Sequence, residues 1–381
     1  MLYIFWGCIG ILVYHLFIFG LLLAVFNRLF RKVVQYPVLA DDKLPTITVI
    51  CAAFNEETWI GRKIESFLAL DYPKDKIKML IISDDSTDRT HEIVEQYTHL
   101  PQIELIIQKP RRGKQSAHNL VEPDLDTDYV LSTDANTVFD PQSVRLLANA
   151  ICSDPRIGVV SGELQLRVVD GTDSGEGLYW KYESLLKRLD SNFYTIIGAN
   201  GAIYLIKREY FRQVDPASVD DFERTLIALK AGAIAKYVPE ATAYEYGTTK
   251  ATEEMGRKTR IITQEWFALL RNASLLNPFA YCRVSFIFVS HKLIRWMLPF
   301  FSIGILIANM GLLSHWFYVL TMIGQLFVYG FGVLELSLQK RSRSISAFRL
   351  MAYWVAMNAA SAQAFIDFLI GKKYATWKIE R

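Results

Sequence analysis

Short apolar, β-branched runs alternate with helix-period stretches between Pro45 and about Tyr246, and two of those runs end in acidic clusters. The runs are Ile47–Ala52, Ile77–Ile82, Ile103–Ile107 and Tyr129–Ser132. Their length suits buried strands, and the strand–helix alternation predicts an α/β domain with a mainly parallel sheet covered by helices. Ligands of such sheets bind beyond the carboxyl ends of the strands. There stand Asp84-Asp85-Ser86-Thr87-Asp88 and Thr133-Asp134-Ala135-Asn136-Thr137. Pro141 is placed to open the following helix at its first position. No G-x-G-x-x-G follows the first run and no Walker A motif occurs, which argues against a dinucleotide enzyme or a P-loop ATPase.

Membrane-length segments flank this region. Residues 2 to 26 carry no charged side chain and exceed the about 20 residues a helix needs to cross a bilayer. Basic residues (Arg28, Arg31, Lys32) follow the apolar stretch, whereas a signal peptide would have them before it. By the positive-inside rule the N-terminus lies outside and the following domain in the cytoplasm, as expected of a multi-pass plasma-membrane protein. Residues 281 to 297 set Arg283, Lys292, Arg295 and Trp296 in an apolar background, the pattern of an interfacial helix with snorkelling cations. Residues 298–313 and 316–336 are apolar enough to cross and return around Ser314-His315, and Lys340-Arg341-Ser342-Arg343 marks the return. Residues 348–370 hold Asn358, Ser361, Gln363 and Asp367 and are followed by Lys372, Lys373, Lys378 and Arg381. Polar groups at that depth need a protein or water lining, so a re-entrant or bundle-facing helix is expected. The expected division is a first membrane helix (1–27), a cytoplasmic domain (28–260), interfacial helices (261–297), two membrane helices (298–336) and a terminal region (337–381).

A net charge of +3, without a basic stripe of interleaved aromatics, argues against nucleic-acid binding. Cys8, Cys51, Cys152 and Cys282 are scattered and lack nearby histidines at ligand spacing, so neither zinc nor a disulfide framework is expected. His91 and His99 read as helix-surface residues, and His15 as part of the first membrane helix.

The acidic clusters, with Asp220-Asp221-Phe222 and Arg257-Lys258-Thr259-Arg260 after them, follow the order that metal-assisted transfer from a diphosphate donor requires. A hard divalent cation neutralises a departing diphosphate through oxygen ligands. Asp134 and Asn136 could offer two such oxygens, or could form only a turn. Ser86 or Thr87 can cap the next helix, with Asp88 in its first turn. That leaves Asp84, assigned to the donor's base or ribose. Lys114 offers a cation in a second loop, or is a solvated surface charge. Transfer to a hydroxyl needs a base, and Asp221 at the start of an amphipathic helix is the candidate, with Asp220 as helix cap. Arg257 and Arg260, three apart on one helical face, suit a phosphate clamp.

Taken together, Ala-Phe-Asn55-Glu56-Glu57, the Asp84 and Asp134 clusters, Gly198-Ala-Asn200-Gly201, Asp220-Asp221 and Arg257-x-x-Arg260 resemble family 2 glycosyltransferases. The similarity spans about residues 45 to 300 and is nearest to the membrane-integrated cellulose, chitin and hyaluronan synthases. It implies a GT-A fold, a nucleotide-sugar donor (most often UDP-linked), Mg²⁺ or Mn²⁺, and inversion by single displacement. By position, Asp84 would contact the nucleoside, with Asn55, Glu56, Lys114 and Arg257 on the donor side. Asp134, with Asn136, would hold the metal, Asp221 would be the base and Arg260 would hold the diphosphate. Gly198, Asn200, Gly201 and Asp220 would line the acceptor side, and Trp377 and Arg381 would match a segment that closes over the donor. Polymerising members carry Gln-x-x-Arg-Trp where this chain reads Arg257-Lys-Thr-Arg260-Ile261, and Trp266 lies on another face. The expected acceptor is a growing exopolysaccharide or capsular chain, the alternative a single addition to a lipid, with membrane lipids around the enzyme.

Overall fold

The structure is a computed structural model that describes residues 1–30, 36–167, 176–246, 251–341 and 343–374. Eight strands form one sheet: β1 (Ile47–Ala53), β2 (Ile77–Asp84), β3 (Ile103–Gln108), β4 (Tyr129–Asp134), β5 (Thr137–Phe139), β6 (Ile157–Arg167), β7 (Ile203–Lys207) and β8 (Ile234–Tyr246). Their order is β3-β2-β1-β4-β7-β6-β8-β5. The β3-β2-β1-β4 half is parallel, β7 is antiparallel to both neighbours, and β6 and β8 run parallel. Every residue of β1 is buried, as befits a strand at the centre of the parallel half.

Side chains alternate across β1. Val49 and Cys51 pack under helices Ile60–Leu68 and Ser143–Ile151, while Ile50 and Ala52 join the opposite core with Phe222, Leu226 and Trp296. Gly162 sits where the β6–β8 register shifts. A Cβ there would fall 2.3 Å from the Ala241 carbonyl oxygen. Gly162→Ala is therefore expected to destabilise the domain by about 1–3 kcal/mol, read by thermal unfolding of the full chain in detergent.

Two local expectations are corrected. Helix Ser143–Ile151 starts after Pro141, with Gln142 as N-cap. Ser86 and Thr87 do not cap helix Thr90–Glu95; they bond Asn55 across the loops that leave β1 and β2. Asp88 instead accepts the Thr90 N–H at 3.0 Å. Both loops turn tightly, and Asn55 and Asp85 adopt positive φ (52° and 60°). Such strained positions cluster at functional sites.

Among the described residues three helices are long and apolar enough to cross a membrane: Leu2–Phe30, Pro278–Met310 and Trp316–Gln339. The boundary drawn at 297/298 has no counterpart, because Pro278–Met310 is one helical stretch with a π segment at Phe288–Leu293 and Pro299 inside. Helix Arg349–Leu369 lies in the bundle and turns its small residues Ala352, Ala356, Ala360 and Ala364 inward. Aromatic rings join this bundle to the sheet domain: Trp266 lies 4.9 Å from Trp296 and 5.7 Å from Phe368. Asp367 accepts from Gln363, Lys372 and Tyr374. His15 is buried in the first helix as expected, against the Ser290 carbonyl. Arg31, Lys32, Lys378, Trp377 and Arg381, invoked above, lie outside the described residues.

Candidate active site

Beyond the carboxyl ends of β1 and β4, a cavity of about 1270 Å³ runs from the sheet domain toward the membrane helices. Asp134 closes β4 and reaches this cavity, as does Asn136 in the tight turn before β5. The Lys114 Nζ donates to Asp134 Oδ1 at 2.7 Å and lies 3.5 Å from Asp220 Oδ1. Burial works against this ammonium, yet the two carboxylates outweigh it and raise the Lys114 pKa. Lys114 is thus an integral cation of the site, not a solvated surface charge.

Asp220 and Asp221 open helix Asp220–Lys230, and their roles separate sharply. The helix N-cap is Val219, so Asp220 is not the cap. Its buried carboxylate accepts from Gln115 Nε2 (3.0 Å), Ser132 Oγ (3.1 Å) and Tyr204 OH (2.9 Å). Burial opposes its charge, but Lys114, His118 and Arg224 hold its pKa well below the ordinary carboxylate range. Arg224, fully buried 3.5 Å from Asp220, completes this support. Removing one partner of a buried pair costs about 3–5 kcal/mol. Arg224→Met should therefore destabilise the fold on that scale, measured by thermal or urea unfolding.

Asp221 stands on the cavity wall beside the glycine strip. A Cβ on Gly201 would lie 3.2 Å from its Oδ2, so only a glycine keeps that space open. Burial and the charge of Asp220 push the Asp221 carboxyl up to about 7, with Lys114 pulling the other way. A general base works best when its pKa lies near the operating pH. Gly198, Asn200 and Gly201 line the same wall.

The remaining expected residues fall in two groups. Glu56, Arg257 and Arg260 reach the cavity, and Arg257 holds Glu254 Oε2 through Nε and Nη2, both at 2.8 Å. Asn55 and Asp84 are set back from the wall. Asp84 accepts from Gln108 Nε2 (2.6 Å) and from the backbone N–H groups of Arg112 (2.8 Å) and Gly113 (2.7 Å). It thereby shapes the loop that delivers Lys114. Asn55 Oδ1 accepts the Thr87 N–H at 2.8 Å.

Glu245 was not singled out from sequence. It sits on β8 with no motif to mark it, and the register of β8 brings it into reach of Asn136, whose Nδ2 donates to Glu245 Oε1 at 2.8 Å. Burial and then the charge of Asp134 raise the Glu245 pKa. Asp134 and Glu245 are two carboxylates lining one cavity, and a divalent cation would relieve their mutual repulsion. The residues present therefore fit Mg²⁺ or Mn²⁺.

Residues 48–215 match the family model described as Glycosyl transferase family 2. Over this stretch the chain is similar to family 2 glycosyltransferases. The chain is 26% identical over 227 residues to the probable glycosyltransferase YdaM of Bacillus subtilis, covering 53% of this chain and 51% of that one. It is 30% identical over 131 residues to the poly-β-1,6-N-acetyl-D-glucosamine synthase of Staphylococcus aureus strain COL, covering 34% and 31%. The match thus spans about half the length, or less, of these curated relatives. The fold is similar to that of mannosyltransferase PcManGT from Pyrobaculum calidifontis, solved in complex with GDP-Man and Mn²⁺: TM-score 0.69, 20% identity, 96% of this chain and 99% of that one. The sheet thus has a GT-A-like glycosyltransferase fold.

The cavity does not stop at Asp134 and Asp221. It continues past Arg295 and Trp296 to Trp354, Met357 and Asn358, and reaches Phe17 and Leu350, which are 68% and 58% exposed on the apolar exterior. The Trp296 indole N–H and the Asn358 amide oxygen line this arm, are buried, and have no protein hydrogen-bond partner. Trp266 does not reach the cavity; its indole is packed among Trp296, Phe365 and Phe368.

Proposed function

We propose that the chain transfers a sugar from a nucleotide-diphospho-sugar, UDP-linked by the resemblance, onto a growing polysaccharide, with inversion at the anomeric carbon. The observation that carries the reading is Asp221. It is a carboxylate with its pKa near 7, beside a glycine-lined wall and next to a cation-bearing, metal-compatible pocket. In this reaction Asp221 takes the proton of the acceptor hydroxyl as that oxygen bonds to the anomeric carbon. The bond from that carbon to the diphosphate oxygen breaks, and the nucleoside diphosphate leaves. Lys114, Arg257 and Arg260 meet the charge on the leaving group. Asp134 and Asn136, with Glu245 behind them, would hold Mg²⁺ or Mn²⁺, which supplies charge neutralisation at the diphosphate. Asp84 and Asn55 act on the donor through the loops they fix, and Glu56 through the cavity wall. Asp220 serves the acceptor side by holding Lys114 and the start of the Asp221 helix in place. The catalytic domain faces the cytoplasm of a plasma membrane, with the N-terminus outside and membrane lipids around the helices. The synthase name of the Staphylococcus relative supports a polysaccharide product.

A second reading is a single addition to a lipid-linked acceptor. The burial of Trp266 favours it, since no tryptophan follows Arg260 to stack on an acceptor sugar. The opening of the cavity at Phe17 and Leu350 favours it as well. Detergent-purified protein incubated with Mn²⁺ or Mg²⁺ and a panel of UDP- and GDP-sugars decides between them. Nucleoside diphosphate release with a long product is the expected result. A short, lipid-extractable product selects the second reading, and no release with any donor, with membrane extract as acceptor, rejects both.

A further inference from the structure

Lys63 has no place in the chemistry so far, yet it is one of the largest side chains buried completely in the molecule. It rises from helix Ile60–Leu68 under the sheet, and its Nζ donates to Thr133 Oγ1 at 2.6 Å and Thr137 Oγ1 at 3.1 Å. The same nitrogen lies 3.4 Å from the centre of the Phe139 ring. Among the described residues no carboxylate forms an ion pair with it. A buried ammonium held only by hydroxyls and a ring face is a poor source of stability, and a methionine of similar volume would be less costly there.

The Thr133 hydroxyl donates its proton to the Ala202 carbonyl at 2.8 Å, and the Thr137 hydroxyl donates its proton to the Asp134 carbonyl at 2.8 Å. The two hydroxyl oxygens are 3.0 Å apart. Each hydroxyl oxygen also has lone pairs that can accept, and Lys63 donates to both. Thr133 and Thr137 bracket the turn that carries Asp134 and Asn136, and Ala202 follows directly on the Gly198–Gly201 wall. One ammonium thus fixes both ends of the cation-binding turn and ties that turn to the acceptor wall.

We infer that Lys63 is a positioning residue for the divalent-cation site, locking the Asp134–Asn136 turn through Thr133 and Thr137 without touching metal or substrate. The inference rests on the assignment of Asp134 and Asn136 as cation ligands. Supporting partners behind metal ligands typically affect metal affinity by about 10- to 100-fold.

The test is Mn²⁺ binding to the full-length, detergent-solubilised protein, followed by electron paramagnetic resonance in the presence of UDP and, separately, GDP. Wild type, Lys63→Met and Thr137→Val are compared, with metal-free nucleotide binding and thermal unfolding measured beside them. The expected result is a rise of about tenfold or more in the Mn²⁺ dissociation constant for both variants. Metal-free nucleotide binding stays within about twofold, because the site that binds it is not rebuilt. An unchanged Mn²⁺ constant in a folded variant, whatever its melting temperature, overturns the inference and leaves Lys63 as packing alone. Failure of both variants to fold does the same. If wild type itself binds no Mn²⁺ with either nucleotide, the ligand assignment falls first, a failure read from the unmutated protein alone.

Discussion

Asp221→Asn is expected to lower turnover by about 10²- to 10⁴-fold while donor affinity stays within a few fold. The substitution keeps shape and removes the oxygen that accepts the acceptor's proton. The pH profile carries the same signature. A base must be deprotonated to act, and the Asp221 carboxyl titrates at about 7. The wild-type rate should therefore climb as pH rises through about 7, and that limb should vanish in the variant. Stability moves the opposite way. The folded-state pKa is raised, so the folded protein holds this proton more tightly than the unfolded chain does. Stability then falls as pH rises from the unfolded value near 4 through the folded value near 7. Above that window Asp221→Asn should melt at a higher temperature than wild type. A variant with normal turnover, or with the acid limb intact, would remove Asp221 from the reaction.

Asp134→Ala should reduce activity by about 10³-fold and abolish its response to Mn²⁺ or Mg²⁺. Asp134 is the carboxylate that both Lys114 and the cation space share, and the Lys114 contact is 2.7 Å. Without it Lys114 retains Asp220 at 3.5 Å, so the ammonium is expected to shift toward the Asp220 side. Calorimetry with the nucleoside diphosphate separates the effects. In wild type the metal tightens binding, and in the variant binding is the same with and without metal. Equal enhancement by Mn²⁺ in both proteins would move the cation site elsewhere.

The fold was largely legible because buried parallel strands advertise themselves: each is a continuous apolar run, and each loop beyond its carboxyl end is short and polar. The same logic put Asp134 at the carboxyl end of its strand, where the cavity opens. Sequence reading failed where one residue type serves two purposes. Ser86 and Thr87 look like helix caps because hydroxyls cap helices, but here the neighbouring loop of β1 competes for them through Asn55. Asp220 looks like a cap for the same reason, and the buried Arg224, His118 and Lys114 claim it. The interfacial helix and the next membrane helix looked separate because Lys292 and Arg295 interrupt the apolar pattern. In the folded chain Glu265 lies 3.0 Å from Lys292, and Glu183 also pairs with Arg295, so both cations are matched within one stretch that passes through a π segment.

Local order in the chain thus determined the strand–helix alternation, the strand-end acidic clusters and the membrane-length helices, because periodicity and charge act between near neighbours. Only tertiary structure separated the two acids of the Asp220-Asp221 pair. Asp220 and Asp221 are adjacent and chemically identical, and what separates them is two cations, Lys114 and Arg224, brought from two helices around the first. Burial, together with the charge of that neighbour, sets the second near neutrality. Glu245 joined the site, and Lys63 came to stand beneath it, for the same physical reason. Electrostatic interactions and hydrogen bonds depend on distance in space, and residues a hundred positions apart became neighbours only when the sheet closed.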